Sequence, residues 1–333
     1  MLVNTNNQKI LIAAVIPAYN VEKYIGRVVR NLPDFVDHII VVDDCSEDFT
    51  FQEVETINDN RIHLIKHTKN QGVGGAMLSG YKLAFNLGAD IMVKIDGDDQ
   101  MDPSYIKPLV IPIIEFKADY TKGNRFLHIK ELEKMPIIRR IGNLGLSFLT
   151  KLASGYWNIF DPTNGYTAIH RESYKLLNKE AIHKDFFFET SMLIQLQRIH
   201  ALVRDIPIPA KYDDQSSNLS TIKTLFAFPP RLFKYLLQRI VFQYFLYDFT
   251  AVSVYLLVGF PLILFGIAWG LLKWYQSFLT GIVTSAGTVL IAVLPIILGI
   301  QFITSAVSFD IASKPNQSLQ SNDAFALNTT NDK

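Results

Sequence analysis

Hydrophobic and polar positions alternate between two rhythms over the first hundred residues. Short runs at 10–16, 38–42, 61–66 and 90–95 are apolar or β-rich and predict strands. Between them, 21–32 and 72–87 carry apolar residues at helical spacing, the second opened by a glycine-rich turn. Strand and helix in alternation predict an α/β fold, a mostly parallel sheet with helices on both faces. Ligands in such sheets bind at the carboxyl ends of the strands. The polar clusters Tyr19-Asn20, Asp43-Asp44, Asn70-Gln71-Gly72 and Asp96-Gly97-Asp98 fall there. Residues 101–220 are less regular, with helices expected at 103–116 and 190–199 and a loop at 207–220.

The pattern changes after residue 220. Residues 221–248 are amphipathic: Lys223, Arg231, Lys234 and Arg239 lie among Phe, Tyr and Leu. This predicts a helix lying on an anionic membrane surface, the alternative being a solvated helix of the soluble domain. Two apolar stretches follow, 250–272 and 279–309, each longer than the ~20 residues that cross a hydrocarbon core. Lys273-Trp274-Tyr275-Gln276 reads as a short interfacial turn between them. The expected organisation is a catalytic domain over 1–220, a juxtamembrane segment over 221–249, a two-helix membrane domain over 250–309 and a disordered polar tail over 310–333. Four basic residues precede the first span and one lies between the spans. The positive-inside rule then places the large domain and both termini in the cytoplasm, on the plasma (inner) membrane.

Composition agrees. Apolar residues make up 49% and charged residues 19%, and residues 250–309 hold one charged side chain, Lys273. A wholly soluble or disordered chain is excluded. A net charge of +1 argues against nucleic-acid binding. The single cysteine, Cys45, excludes a disulfide framework or a cysteine-rich zinc site. The run at 10–16 is too short for a signal peptide and leads into Pro17-Ala18-Tyr19-Asn20, so it reads as a buried first strand.

Asp96 and Asp98, two carboxylates at i and i+2 after a strand, can converge on a hard cation such as Mg2+ or Mn2+. The alternative is a solvated turn. Asp43-Asp44 offers acceptors to a ribose or base, or caps the next helix. Gly72-Val73-Gly74-Gly75 either cradles an anion at a helix N-terminus or makes a plain tight turn.

Together these segments resemble glycosyltransferase family 2: Val15-Ile16-Pro17-Ala18-Tyr19-Asn20, Ile40-Val41-Val42-Asp43-Asp44-Cys45-Ser46, Asn70-Gln71-Gly72-Val73-Gly74-Gly75-Ala76, Asp96-Gly97-Asp98-Asp99-Gln100, Lys122-Gly123-Asn124-Arg125 and Asp161-Pro162-Thr163-Asn164-Gly165-Tyr166. With two C-terminal spans, the chain looks like the polyprenyl-phosphate glycosyltransferases. The resemblance implies a GT-A fold, a nucleotide-sugar donor, a polyprenyl-phosphate acceptor and a divalent metal. It implies that Pro17, Tyr19, Asn20, Asp43, Asp44 and Gly72 line the nucleotide-sugar site, with Asp96. Asp96, Asp98 and Gln100 would hold the metal, Arg125 would meet phosphate and Asp161 would lie near the sugar. Lys211 stands where relatives place a basic residue, as an acceptor-phosphate contact or a surface lysine. Glu189 faces the acceptor or is simply an acidic residue at a helix start.

Asn164 and Tyr166-Thr167 replace the Ser and Phe-Arg usual in mannose synthases. The expected reaction is therefore inverting transfer of glucose from UDP-glucose to undecaprenyl phosphate, with GDP-mannose as the alternative donor. Gln195-Leu196-Gln197-Arg198 lacks the following Trp of processive synthases, and two spans are too few for a polymer channel. An inactive membrane scaffold is the reading from another class. Gly259, Gly266 and Gly270 on the first span leave close helix packing, and so a homo-oligomer, open.

Overall fold

The computed structural model describes residue 2 and residues 8–125, 137–209 and 221–321; within these, side chains at 137–141, 143, 221–226 and 321 are outside the description. Contacts divide the chain into two units, residues 1–233 with 315–333, and residues 234–314.

The first unit is built on a seven-stranded sheet. Its strands are β1 (Ile12–Ala18), β2 (His38–Asp43), β3 (Ile62–Lys66), β4 (Ile91–Lys94), β5 (Tyr120–Asn124), β6 (Thr167–His170) and β7 (Val203–Pro207). They are ordered β3-β2-β1-β4-β6-β5-β7. β1 pairs in parallel with β2 and β4, and β5 with β7. β6 runs antiparallel to β4 and β5.

Strands covered on both faces need apolar residues on both. In β1, Ile12, Ala14, Ile16 and Ala18 enter one core while Ala13 and Val15 enter the other. The first core is closed by α1 (Glu22–Arg30) and α4 (Ile106–Ile114). α1 buries Ile25, Val28 and Val29, neighbours on one helical face. The second core is closed by α3 (Val73–Asn86) and α7 (Phe188–Arg198). The short α2 (Thr50–Glu55), α5 (Ile137–Ser154) and α6 (Arg171–Leu176) complete this unit's helices up to residue 209. The strands and helices expected over the first hundred residues are present within two residues of their expected ends. α2, α5, α6, β5, β6 and β7 were not expected.

The amphipathic segment forms α8 (Thr221–Val241), which continues into a wider π turn over Phe242–Tyr247. Its part within the first unit is anchored: Phe228 and Leu232 are buried, Phe228 packs edge-on against Phe187, and Arg231 pairs with Asp185 at 2.7 Å. The unit boundary falls inside this helix, not at residue 220.

The second unit is a hairpin of α9 (Ala251–Thr280) and α10 (Ala286–Ala312). Both are long and apolar enough to cross a membrane, with mean hydropathy 2.3. The connection differs from expectation. Lys273–Gln276 lies inside α9, because nothing there breaks a helix. The chain turns instead at Gly281, whose φ of +66° suits a residue without a Cβ, and Ser285 caps α10 by accepting the Thr288 N–H. The glycines on α9 are occupied within the hairpin. A Cβ at Gly266 would lie 2.5 Å from the Ala292 carbonyl, and one at Gly259 3.1 Å from the Gly299 carbonyl. They carry no argument for a homo-oligomer.

Beside the hairpin base, Arg239 forms a buried two-bond pair with Asp310, both contacts 2.8 Å, and the Tyr244 hydroxyl donates to the same carboxylate. Asp310 is thus helical and paired. Farther on, the Leu319 N–H donates to Asp119 and Gln320 Nε2 to the Ala118 carbonyl. The expected disordered tail is ordered from 310 to 320, because it finds buried acceptors at the start of β5; residues 322–333 lie outside the described part.

Candidate active site

The expected site residues collect at the carboxyl ends of β1, β2, β4 and β5. β6 runs the other way, so the loop carrying Asp161 to Tyr166 enters from the same end.

After β1, Pro17 is half-buried and Tyr19 is exposed. Asn20 takes a left-handed φ of +53°, and its side-chain oxygen accepts the Glu47 N–H at 2.9 Å, tying this loop to the one after β2. Asp43 Oδ1 accepts the Ser46 N–H, while its buried Oδ2 has no protein partner. An unpaired buried carboxylate oxygen is costly, and Oδ2 keeps its capacity to accept a hydrogen bond. Asp44 is spent. It accepts the N–H groups of Gln71 and Gly72 at 2.9 and 2.7 Å and contacts His67 Nδ1 at 2.7 Å.

The glycine-rich turn answers its own two readings. Gly72 has a φ of +80°, and a Cβ on it would stand 2.5 Å from the Lys184 carbonyl. Gly74 donates its N–H to that carbonyl at 2.9 Å, and a Cβ there would lie 2.2 Å from the His183 carbonyl. These glycines admit the 183–185 backbone, and the donors at Gly72 and Gly74 are consumed by protein. That is the arrangement of a tight turn, with these two N–H donors taken by Asp44, Asn70 and the Lys184 carbonyl.

β4 delivers the acidic pair. Asp98 Oδ1 accepts the Gln100 N–H at 3.1 Å, and the Asp96 N–H contacts the Met101 sulfur. Burial, then the neighbouring charge of Asp96, raises the Asp98 carboxyl above its ordinary value. Lys94, on the last residue of β4, points into the same place. Its side chain is 1% exposed, and its Nζ lies 2.6 Å from Asp96 Oδ1 and 3.3 Å from Glu189 Oε1. Burial pulls this ammonium down, but Asp96 and Glu189 overcome that and hold it above its ordinary value. Glu189 lies in the first turn of α7, so it is both a helix-start acid and a member of the site.

β5 supplies a second cation. Lys122 is fully buried and donates to the Asn164 carbonyl; burial takes it down to about 8, against Glu189 and Asp161. Beyond β5, Arg125 grips Asp161 with both arms, Nε to Oδ2 at 2.8 Å and Nη2 to Oδ1 at 3.1 Å. Asp161 is 0% exposed and Arg125 41%. Both Asp161 oxygens are therefore committed, and its geometry is that of a brace for Arg125. Asn124 and the Phe160 N–H bind Asp205, whose carboxyl burial pushes up to about 6. Lys211 lies outside the described residues.

Among the described residues no cluster of three or more His, Cys, Asp or Glu is placed to hold a metal. Asp96 and Asp98 are a two-carboxylate site of the kind that leaves coordination positions to water and substrate phosphate. They fit a divalent cation: Asp96 Oδ2 lies outside the Lys94 contact, and a cation would relieve the repulsion between the two carboxylates.

Sequence reasoning missed Lys94 and Lys122 as site residues. Lys94 lies two positions before Asp96 and Lys122 opens the 122–125 segment; the lysine in the otherwise apolar β4 is itself a signal.

The model of Glycosyl transferase family 2 matches residues 13–177. A UDP-N-acetylglucosamine–dolichyl-phosphate N-acetylglucosaminyltransferase of Methanococcus voltae is 37% identical over 62% of this chain and 88% of its own length. The chain belongs to glycosyltransferase family 2. An undecaprenyl-phosphate mannosyltransferase of Micrococcus luteus is 25% identical over 59% of this chain and 82% of its own. Among solved structures, glucosyl-3-phosphoglycerate synthase from Mycobacterium tuberculosis with Mg2+ and UDP superposes with a TM-score of 0.51 at 20% identity, covering 69% and 79% of the two chains. That likeness fixes the GT-A fold. The protein is a glycosyltransferase, and relatives of it act on polyprenyl phosphates.

Proposed function

We propose that this protein transfers one sugar from a UDP-linked donor to a polyprenyl phosphate at a bilayer surface, with inversion at the anomeric carbon. The observation that carries the reading is the joining, in one chain, of the Asp96–Asp98 pair and the Arg125–Asp161 brace with a hairpin of two helices apolar enough to span a membrane. A soluble acceptor needs no such hairpin; a polyprenyl tail does, since its phosphate must be met at the interface.

A phosphate monoester is an oxyanion at neutral pH and needs no strong base. Its oxygen bonds to the anomeric carbon as the bond from that carbon to the nucleoside diphosphate breaks, and the diphosphate leaves with the electron pair. The protein's work is then orientation and neutralisation of charge. Asp43 Oδ2 offers an acceptor to the nucleoside. Arg125, braced by Asp161, presents a guanidinium to phosphate, the group whose planar geometry it matches. Asp96 and Asp98, with Gln100 beside them, would hold Mg2+ or Mn2+, which when bound supplies charge neutralisation of the leaving diphosphate. Lys211 is proposed as an acceptor-phosphate contact.

The Methanococcus relative's name supports a UDP donor and brings N-acetylglucosamine beside the glucose expected from the sequence. The Micrococcus relative's name keeps mannose as the second reading. The excess of basic residues before the first span supports a catalytic unit on the cytoplasmic side.

The test is transfer of radiolabelled sugar to undecaprenyl and dolichyl phosphates by the purified full chain in detergent. UDP-N-acetylglucosamine, UDP-glucose and GDP-mannose are offered in parallel with Mg2+ or Mn2+. A lipid-linked monosaccharide from a UDP-sugar, lost with EDTA and in Asp98→Ala, is expected. Product from GDP-mannose alone would overturn the donor assignment, and donor binding without transfer to either lipid would overturn the acceptor.

A further inference from the structure

Lys94 is a positive charge inside the sheet, 1% exposed, with the fully buried Tyr81 near it. A buried ammonium persists only when paired. Its two anionic partners come from opposite directions. Asp96, 2.6 Å away, is two residues on along the same chain; Glu189, 3.3 Å away, comes from the start of α7. The third wall is Gly165: a Cβ there would stand 2.4 Å from Lys94 Nζ and 3.0 Å from Asp96 Oδ2. The bare backbone at 165 thus leaves room for the ammonium and for the second carboxylate oxygen together.

The consequence concerns Asp96. Its Oδ1 accepts from Lys94, which fixes the orientation of the carboxylate and leaves Oδ2 as the oxygen outside that contact. We propose that Lys94, anchored by Glu189, is a positioning residue for the divalent cation: it holds Asp96 Oδ1 and leaves Oδ2 as the single oxygen Asp96 presents. This rests on the reading of Asp96 and Asp98 as metal ligands given above. Groups of this kind, which touch the ligand and not the metal, change metal affinity about 10–100-fold when removed. Through Glu189, the packing of α7 is linked to the metal shelf at the end of β4.

The test reads binding rather than turnover. UDP is titrated calorimetrically into the full chain in detergent, once with Mn2+ and once with EDTA, and the ratio of the two Kd values measures what the metal contributes. In Lys94→Met and in Glu189→Gln this ratio is expected to fall about tenfold or more while the Kd in EDTA stays the same. Lys94→Met leaves the Glu189 carboxylate without its ammonium and can fail to fold, so Lys94→Met/Glu189→Gln is measured as well. Removing one charge of each sign leaves the net charge of the site as in the wild type. If the pair serves only folding, the double variant regains the wild-type ratio, and the proposal is overturned. If Lys94 positions Asp96, the double variant folds and still shows the lowered ratio. A wild-type ratio in Glu189→Gln alone would remove Glu189 from the proposal. A wild-type protein whose UDP affinity ignores Mn2+ would overturn the metal reading itself and this inference with it.

Discussion

The brace between Arg125 and Asp161 predicts unequal effects for its two halves. Asp161 is wholly buried, whereas Arg125 keeps 41% of its side chain in solvent. In Arg125→Ala, the Asp161 carboxylate loses both guanidinium contacts, at 2.8 and 3.1 Å, and remains buried. Removing one partner of a buried pair costs about 3–5 kcal/mol. In Asp161→Asn, an amide oxygen still accepts from Arg125, and the guanidinium can turn toward water. The loss is that of one charge-assisted hydrogen bond, about 1.5–3 kcal/mol. For a unit of this size each kcal/mol moves the melting midpoint by about 2–4 °C. Arg125→Ala should therefore melt about 6–20 °C below wild type and Asp161→Asn about 3–12 °C below, with Arg125→Ala the lower of the two, followed by tryptophan fluorescence in detergent. Activity orders them differently from a general-base mechanism. If Asp161 positions Arg125, Asp161→Asn lowers kcat/KM about 10–100-fold, at ~1.4 kcal/mol per decade, with an unchanged pH profile. Loss of the acidic limb of that profile in Asp161→Asn, or equal melting points for the two variants, would refute the reasoning.

Three further outcomes follow from the same geometry. Gly74→Ala places a Cβ 2.2 Å from a backbone carbonyl that cannot swing aside, so the first unit should lose about 3 kcal/mol, read by chemical denaturation. Asp205 keeps its proton in the folded chain up to about pH 6, whereas an unfolded aspartate loses it near 4. Its contribution to stability is therefore fully present below about pH 4 and declines as pH rises to about 6; the difference between wild type and Asp205→Asn should follow that slope. In the hairpin unit, Arg239→Leu should cost about 3–5 kcal/mol by taking the guanidinium from the buried Asp310 carboxylate, and Arg239→Leu/Asp310→Leu should recover most of it in a double-mutant cycle.

Much of this protein is decided locally and is legible in the sequence. β1, β2 and β4 are apolar runs ended by polar residues, because a strand buried on both faces has no other composition available. The two apolar stretches announce long helices for the same reason, since only apolar side chains tolerate lipid. The motif residues at 19–20, 43–44, 96–98 and 161 fall at strand ends, which topology alone makes a binding edge. What the sequence could not decide depends on partners far along the chain. β5 holds Lys122, Gly123 and Asn124, which resemble a loop; it is a strand because β6 and β7 pair with it and Asn164 and Asp205 satisfy its polar side chains. Gly72 and Gly74 look ready for an anion, yet the 183–185 backbone, a hundred residues on, takes that space. Asp161 and Arg125 read as separate contacts, to sugar and to phosphate, until Arg125 is seen to occupy both Asp161 oxygens. Lys94 is a lone charge in an apolar run whose partners, Asp96 and Glu189, only the fold supplies together. Periodicity and turn chemistry act over a few residues and fix elements; the pairing of buried charge acts between elements brought together only by folding, and it assigned the site's polar groups to their work.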